Sequence, residues 1–298
     1  MIDLHSHILP GLDDGASDLA VSLEMARMQV AQGVTVMACT PHILPGVYHN
    51  HGNDIRQAVT VLQQALDDAG IELSLVSGAD NHIVPDFVDG LREGRLLSLA
   101  DTRYVLVEPP HNVAPARLDE FVFGILLAGY VPVITHPERL RWIEERYDLV
   151  QRLAEAGVWM QVTSGSLGGR FGRRAKYWAE RMTCEGRVQI LASDAHDTTS
   201  RPPDLASGWR AVERLVGGAE AVRMVRERPR DMMCDRPAAE CAPVVVDRGE
   251  GERGHEGDGS RAVHRRDGAV PGWLRRFFRQ DAGASGGGER SRSGRGDE

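Results

Sequence analysis

Lysine is almost missing from this chain: Lys176 is the one lysine among 35 basic residues. We read that as base-composition bias rather than chemistry, although guanidinium and ammonium groups are not otherwise interchangeable. Cysteine is scarce as well. Cys39, Cys184, Cys234 and Cys241 are scattered with no CxxC pair, which excludes a zinc ribbon and a disulfide framework. Cys39 lies in an apolar run and reads as a small core hydrophobe. No stretch approaches the roughly 20 apolar residues of a membrane span, and no basic segment followed by an apolar one opens the chain. A cytoplasmic protein is expected. A basic excess is lacking too, and a net charge of −8 argues against a nucleic-acid binder.

What the chain does have is alternation. Short apolar runs recur at 1–4, 34–39, 73–76, 104–107, 131–134, 158–162 and 188–191, with helical periodicity between them. Ser17 is the expected N-cap of a helix through Gln32, with Leu19, Leu23, Ala26 and Val30 at three- and four-residue steps and Gly33 to end it. Further helices are expected over 54–69, 116–128, 140–156, 173–184, 204–216 and 219–227. Such alternation favours parallel strands with crossover helices. No GxGxxG follows a strand, so a dinucleotide fold is not supported, and seven runs suit a barrel or distorted barrel better than a flavodoxin-like sheet.

The domain is expected to end near 236. The last 62 residues carry 13 of the 33 glycines, in mixed-charge runs with almost nothing to bury, and residues 237–298 read as a disordered tail. One island interrupts it at 271–279, PGWLRRFFR, where Trp273, Leu274, Phe277 and Phe278 would share a helical face. It is either a chance apolar patch or a docking peptide for a partner or an anionic membrane surface.

The strand ends carry the chemistry. His5 and His7 close the first run, and alternation puts residues i and i+2 on one side. His42 follows the second run, Asp80 the third, Glu108 the fourth and His136 the fifth, while Asp194 and His196 end the last. Six strand ends thus deliver His, Asp or Glu to the C-terminal mouth of a β/α barrel, where such barrels build their sites. Each residue alone reads as an ordinary hydrogen-bonded side chain; the joint pattern reads as a metal site. With Asp14 there are nine candidates, five imidazoles and four carboxylates. That exceeds what one ion needs and suits two or three ions such as manganese, iron or zinc. Clustered ions are apparatus for phosphate ester hydrolysis. Arg139 and Arg201 stand close by in sequence, and their planar guanidiniums can clamp phosphate oxygens.

The order HSH, DDG, TPH, GAD, E, HPER, SDAH, RPP resembles the PHP (polymerase and histidinol phosphatase) superfamily, in particular its CpsB/YwqE-type branch of manganese-dependent bacterial protein-tyrosine phosphatases. The resemblance spans residues 1 to about 236. It implies a distorted (β/α)7-type PHP barrel with three metals held by His5, His7, Asp14, His42, Asp80, Glu108, His136, Asp194 and His196. It also implies that Arg139 and Arg201 contact the phosphate. His196 or a water on the metals would handle the proton of the leaving phenolate. The implied substrate is phosphotyrosine on the tail of a bacterial tyrosine autokinase that controls capsular or exopolysaccharide production. The alternative is a relative acting on a small monoester such as histidinol phosphate. A regulatory module with a decayed metal site is disfavoured by the retained ligands.

There is one departure. The family usually has glutamate where this chain has Asp80, one methylene shorter and reaching about 1.5 Å less far. Either the backbone moves closer, or that ion is held more weakly or through water, with Asn81 or His82 as other contributors. His49, His51 and His111 read as solvated loop residues. The thiol route is closed, because no arginine stands six residues after Cys39, Cys184 or Cys234. The oligomeric state and the identity of the kinase are left open.

Overall fold

The structure, a computed structural model of the chain, describes residues 1–246. Nine short parallel strands alternate with ten helices. They are β1 (Ile2–Asp3), α1 (Leu19–Ala31), β2 (Val36–Cys39), β3 (His42–Ile43), α2 (Gly52–Asp68), β4 (Ser74–Ser77), β5 (Asp80–His82), α3 (Phe87–Arg92) and β6 (Tyr104–Glu108). Then follow α4 (Leu118–Leu127), β7 (Val131–Thr135), α5 (Tyr147–Glu155), β8 (Trp159–Thr163), α6 (Ser164–Leu167), α7 (Gly172–Cys184), β9 (Ile190–Ala192), α8 (Leu205–Val216), α9 (Gly218–Val222) and α10 (Arg228–Met233). A π-helical turn over Arg223–Glu227 joins the last two helices.

Each of the seven apolar runs forms a strand. Two of them are broken into a lower and an upper piece, β2 with β3 and β4 with β5, which gives a three-stranded sheet β1-β2-β4 and a six-stranded sheet β3-β5-β6-β7-β8-β9. Pro41 lies in one break and Gly78 in the other. The ladders bridge these breaks: Gly78 donates to the Cys39 carbonyl and Asp80 to that of Pro41. The ends meet as well. Ser6, just past β1, bridges in parallel to Ala195, just past β9, with His7 N donating to the Ala195 carbonyl at 2.8 Å and Asp194 N to that of His5 at 2.9 Å. Counted by runs, this is a distorted seven-fold β/α barrel.

Alternation sorts the interior. Tyr104, Leu106 and Glu108 share one face of β6, as Val131, Val133 and Thr135 do on β7. Leu4, Ala38, Tyr104, Leu106, Val133, Trp159 and Ile190 fill the lower interior with apolar contacts, and β6, β7 and β8 end that face on polar residues, Glu108, Thr135 and Thr163. The larger core lies between the sheet and the helices, built from Met25, Met37, Ile55, Leu62, Val105, Val122, Met160, Val212 and their neighbours.

Several boundaries differ from expectation for local reasons. Asp18, not Ser17, caps α1: its backbone is extended and its carboxylate accepts from Val21 N. Gly33 does end that helix at a left-handed φ of 81°. The helix expected over 140–156 begins only at Tyr147, because residues 140–146 are tied across the mouth. Arg141 N donates to the His111 carbonyl and Trp142 Nε1 to that of Pro110.

The fold also runs past the boundary expected at 236. Cys241 is buried against Tyr104, and Arg228, wholly buried, donates to the carbonyls of Ala242 and Pro243. A charged side chain in the interior draws in backbone acceptors that apolar patterning does not reveal. The island at 271–279 lies outside the described residues.

Candidate metal centre

All nine expected ligands converge at the C-terminal mouth. Continuing β1, the HSH segment is held by its serine: Ser6 Oγ donates to the Ala38 carbonyl at 2.6 Å and Ser6 N to Thr40 Oγ1 at 3.0 Å. The two imidazoles are thereby turned inward, with Nε2 atoms 3.2 Å apart. The DDG turn brings Asp14 over the mouth. Gly15 is required there, since a Cβ would collide with the His7 carbonyl oxygen. His136 and Asp194, at the ends of β7 and β9, both take left-handed backbone (φ 34° and 52°). Non-glycine residues rarely hold that conformation, and it occurs preferentially at functional sites.

The polar atoms face one another across short gaps. His5 Nε2 lies 3.5 Å from Asp80 Oδ2 and 3.4 Å from Asp194 Oδ1. His7 Nε2 is also 3.4 Å from Asp194 Oδ1. Asp14 Oδ1 stands 3.5 Å from both His42 Nε2 and His196 Nε2. His136 Nε2 is 3.6 Å from Glu108 Oε1 and 3.8 Å from Asp80 Oδ2. The groupings that result are His7, Asp14, His42 and His196; His5, His7 and Asp80; His5, His136 and Asp194; His42, His82 and Glu108; and Glu108, His111 and His136.

Outer partners fix which nitrogen points inward. His7 Nδ1 meets Asp13 Oδ2 at 2.6 Å, His5 Nδ1 meets Gln161 Oε1 at 2.9 Å, and His196 Nδ1 meets the Asp194 carbonyl at 3.0 Å. Each partner atom is an acceptor, so the proton sits on Nδ1 and the Nε2 lone pair faces the cluster, the arrangement typical of metal-ligating histidine. Burial lowers His5 to about 3 and His196 to about 4, and holds His136 well below the ordinary imidazole range. These rings are neutral at neutral pH, as ligands must be.

His7 differs: burial opposes its charge, but the Asp13 and Asp194 carboxylates raise it to about 10, a measure of how strongly the carboxylates here draw in positive charge. Asp80 Oδ2, Glu108 Oε2 and Asp194 Oδ1 are buried and accept no hydrogen bond, and such orphaned acceptors are costly. Burial and the Glu108 charge push Asp80 well above the usual carboxylate range. Burial opposes ionisation of Asp194 too, but the Arg201 guanidinium, with His7 and Arg139 beside it, holds it well below. The donor set of oxygens and imidazole nitrogens, with orphaned oxygens turned inward, fits divalent cations of the borderline-to-hard kind.

The two arginines meet on a single atom. Arg139 Nη1 and Arg201 Nη2 donate to Asp194 Oδ2 at 2.5 and 2.7 Å. Both guanidiniums lie over the Phe171 ring, at 4.3 and 6.0 Å from its centroid, and Arg201 Nε is buried without a partner.

Sequence reasoning missed three contributors and held a fourth, His82, only as an alternative beside Asp80. Asp13 holds the DDG turn, accepting from Gly15 N, and also grips His7. Gln161 gave no signal beyond its inward position on β8. His111, expected to be a solvated loop residue, instead brings its Nε2 to 3.1 Å from Glu108 Oε1. His82 meets Glu108 Oε2, and the same i, i+2 rule that paired His5 with His7 pairs Asp80 with His82. Asn81 faces away, donating to the Ala79, Leu97 and Leu106 carbonyls. His49 and His51 join none of the groupings above.

Comparison with known proteins agrees with this picture. The model of a family described as capsular polysaccharide synthesis, CpsB/CapC, matches residues 1–234. Tyrosine-protein phosphatase YwqE of Bacillus subtilis is 41% identical over 201 residues, 67% of this chain and 79% of that protein. Tyrosine-protein phosphatase CpsB of Streptococcus pneumoniae is 26% identical over 245 residues, 79% of this chain and 99% of that one. A crystal structure from the set determined for YwqE and CpsB of those two organisms, described as unique metal-dependent tyrosine phosphatases, superposes with a TM-score of 0.77. It is 36% identical and covers 83% of this chain and 99% of that chain.

Proposed function

We infer that this chain, which belongs to the CpsB/CapC family of capsular polysaccharide synthesis, is a metal-dependent protein-tyrosine phosphatase whose centre is the cluster at the barrel mouth. The observation that carries the reading is the convergence of three histidines, each with Nδ1 tied to an acceptor, on carboxylate oxygens that have no other partner. His5, His7, Asp14, His42, Asp80, Glu108, His136, Asp194 and His196 are the proposed ligands, and manganese the proposed ion. Bound divalent ions would neutralise phosphate oxygens and make water nucleophilic at neutral pH.

The protein's own groups do the rest. Arg139 and Arg201 offer forked N–H donors beside Asp194, placed to take phosphate oxygens as charge builds on them. The Phe171 ring backs both guanidiniums and keeps them from collapsing into solvent. His196 fits the ligand role better than that of proton donor. Its Nδ1–H is spent on the Asp194 carbonyl, and with a pKa near 4 it carries no extra proton at neutral pH. A phenol ionises near pH 10, so the leaving phenolate demands little acid catalysis.

The proposed substrate is a phosphotyrosine on the tail of a bacterial tyrosine autokinase, met in the cytoplasm. No helix among the described residues is long and apolar enough to cross a membrane, and Asp14, at the edge of the cluster, keeps 46% of its side chain exposed, which suits a site that must admit a protein segment. The test is phosphate release from a phosphotyrosine peptide, a phosphoserine peptide and histidinol phosphate, with protein stripped by chelator and reloaded with manganese. Release from phosphotyrosine that depends on the metal is expected. Release from histidinol phosphate alone would overturn the proposal.

A further inference from the structure

We propose that His82 is a metal ligand, binding through Nε2 together with Glu108 on the Asp80 side of the cluster. This rests on the metallophosphatase reading and adds a ligand outside the nine. β5 and β6 run parallel with His82 and Glu108 as register partners, so the two side chains leave the sheet side by side into the mouth. His82 Nε2 lies in contact with Glu108 Oε2 and 3.3 Å from His42 Nδ1, and His42 Nδ1 is 3.2 Å from the same Glu108 oxygen. That oxygen is buried and accepts no hydrogen bond. His42, His82 and Glu108 thus each offer a potential ligand atom, all within 4.8 Å of one another.

The neighbours explain why an extra ligand is needed here. Asp80 turns one oxygen to this side, Oδ2, while Oδ1 accepts from Thr135 Oγ1 at 3.2 Å. The remaining Oδ2 is spread among His5, His42 and His136 at 3.5, 3.6 and 3.8 Å. His42 is also divided: its Nε2 faces Asp14, and a neutral imidazole has a single lone pair to offer. If His42 serves the Asp14 side, the position beside Glu108 lacks a nitrogen donor unless His82 supplies it. The side chain of His82 is 16% exposed, close enough to the surface to meet an incoming ion and buried enough to be held.

The test counts metal in the full chain. Stripped wild type, His82→Ala and His82→Gln, with His49→Ala as control, are equilibrated with a series of free manganese concentrations and assayed by elemental analysis. A ligand role predicts that both His82 variants hold about one ion fewer than wild type and the control at saturation. A hydrogen-bonding role for His82 would weaken affinity by about 10–100-fold yet leave the saturating number unchanged, and that result would overturn the proposal. The glutamine variant keeps the volume should the alanine variant fold poorly, and cobalt-loaded samples give a second readout, since loss of an imidazole alters the visible spectrum. Phosphotyrosine release by loaded wild type is measured alongside. Activity with unchanged ion number in both variants sinks this inference alone; lost ions without activity in wild type sink the phosphatase reading alone.

Discussion

Asp13 grips His7: the carboxylate oxygen lies 2.6 Å from His7 Nδ1, with the Asp13 side chain wholly buried. The same oxygen accepts from His42 N at 2.9 Å, so one carboxylate fixes one proposed ligand and the backbone of another. Burial works to raise the Asp13 pKa, but His7 prevails and holds it at about 2. Removing such an outer partner frees the ring and lowers its basicity. Asp13→Ala is expected to weaken manganese binding by about 10–100-fold while the ion count at saturation stays that of wild type, as read by titration against a metal indicator. Wild-type affinity in the variant would assign Asp13 to the turn alone.

The arginines should matter differently from the ligands. Arg139 and Arg201 touch Asp194 Oδ2, the oxygen turned away from His5 and His7, whose Nε2 atoms face Oδ1. Arg139→Gln or Arg201→Gln is expected to cut kcat/KM on a phosphotyrosine peptide by about 100-fold or more, with the protein still holding its metal. Lysine at either place should not rescue, because it lacks the planar fork. Phe171→Ala removes the ring under the guanidiniums and should cost about 3- to 30-fold. Steady-state kinetics with parallel metal analysis decides; full activity in both arginine variants would remove them from phosphate recognition.

Glu138 sets a pH dependence of stability. It is fully buried, with Oε1 accepting from Ser166 Oγ at 2.6 Å and Thr163 N at 3.0 Å and Oε2 unpartnered. Burial outweighs these bonds and raises its pKa from 4.5 to about 7. A raised carboxyl binds its proton more tightly folded than unfolded, so stability is greatest below the unfolded pKa. It falls as pH rises from about 4.5 to 7 and is flat above. Glu138→Gln removes that loss. Its stability relative to wild type should improve between pH 5 and pH 8 by at most about 3 kcal/mol, as measured by urea unfolding of chelated protein. A pH-independent difference would show that Glu138 is ionised when folded.

Periodicity made the barrel legible, and the strand ends made the site legible, for one shared reason. A residue just past an apolar run in a parallel barrel has a single place to go, the mouth, so His42, Glu108 and His136 could be placed without knowing any contact. What stayed hidden depends on contacts between segments far apart in sequence. Gln161 is one more inward residue of β8 until His5 is known to lie beside it, and Phe171 is an aromatic before a helix until two guanidiniums settle on it. His82 is the intermediate case, carrying the same i, i+2 relation to Asp80 that marked His5 and His7. The packing of residues 242–245 stayed hidden in the same way, because polarity after Pro237 is a local property, whereas the buried Arg228 that binds this segment lies elsewhere in the chain.

That arginine yields the last expectation. Arg228 is buried with Glu220, the two joined at 2.7 Å with side chains 1% and 2% exposed. Its other donors reach the carbonyls of Gln189, Ala242 and Pro243 at 2.8–2.9 Å, and Glu220 Oε2 accepts from Val245 N. A chain ending at 246 keeps every one of these bonds, whereas a chain ending at 236 leaves a buried cation short of two acceptors and uncovers Tyr104. Bonds to a charged group are each worth about 1.5–3 kcal/mol, so the shorter form should lose on the order of 3 kcal/mol or more. For a domain of this size that corresponds to a melting temperature about 6–12 °C lower. Arg228→Met in the full chain should cost a similar amount, about 3–5 kcal/mol, by leaving the buried Glu220 with Arg223 alone as counter-charge. Thermal melts of the two truncations and the point variant test this directly. Equal stability of the 1–236 and 1–246 forms would mean that residues 237–246 merely rest on the barrel.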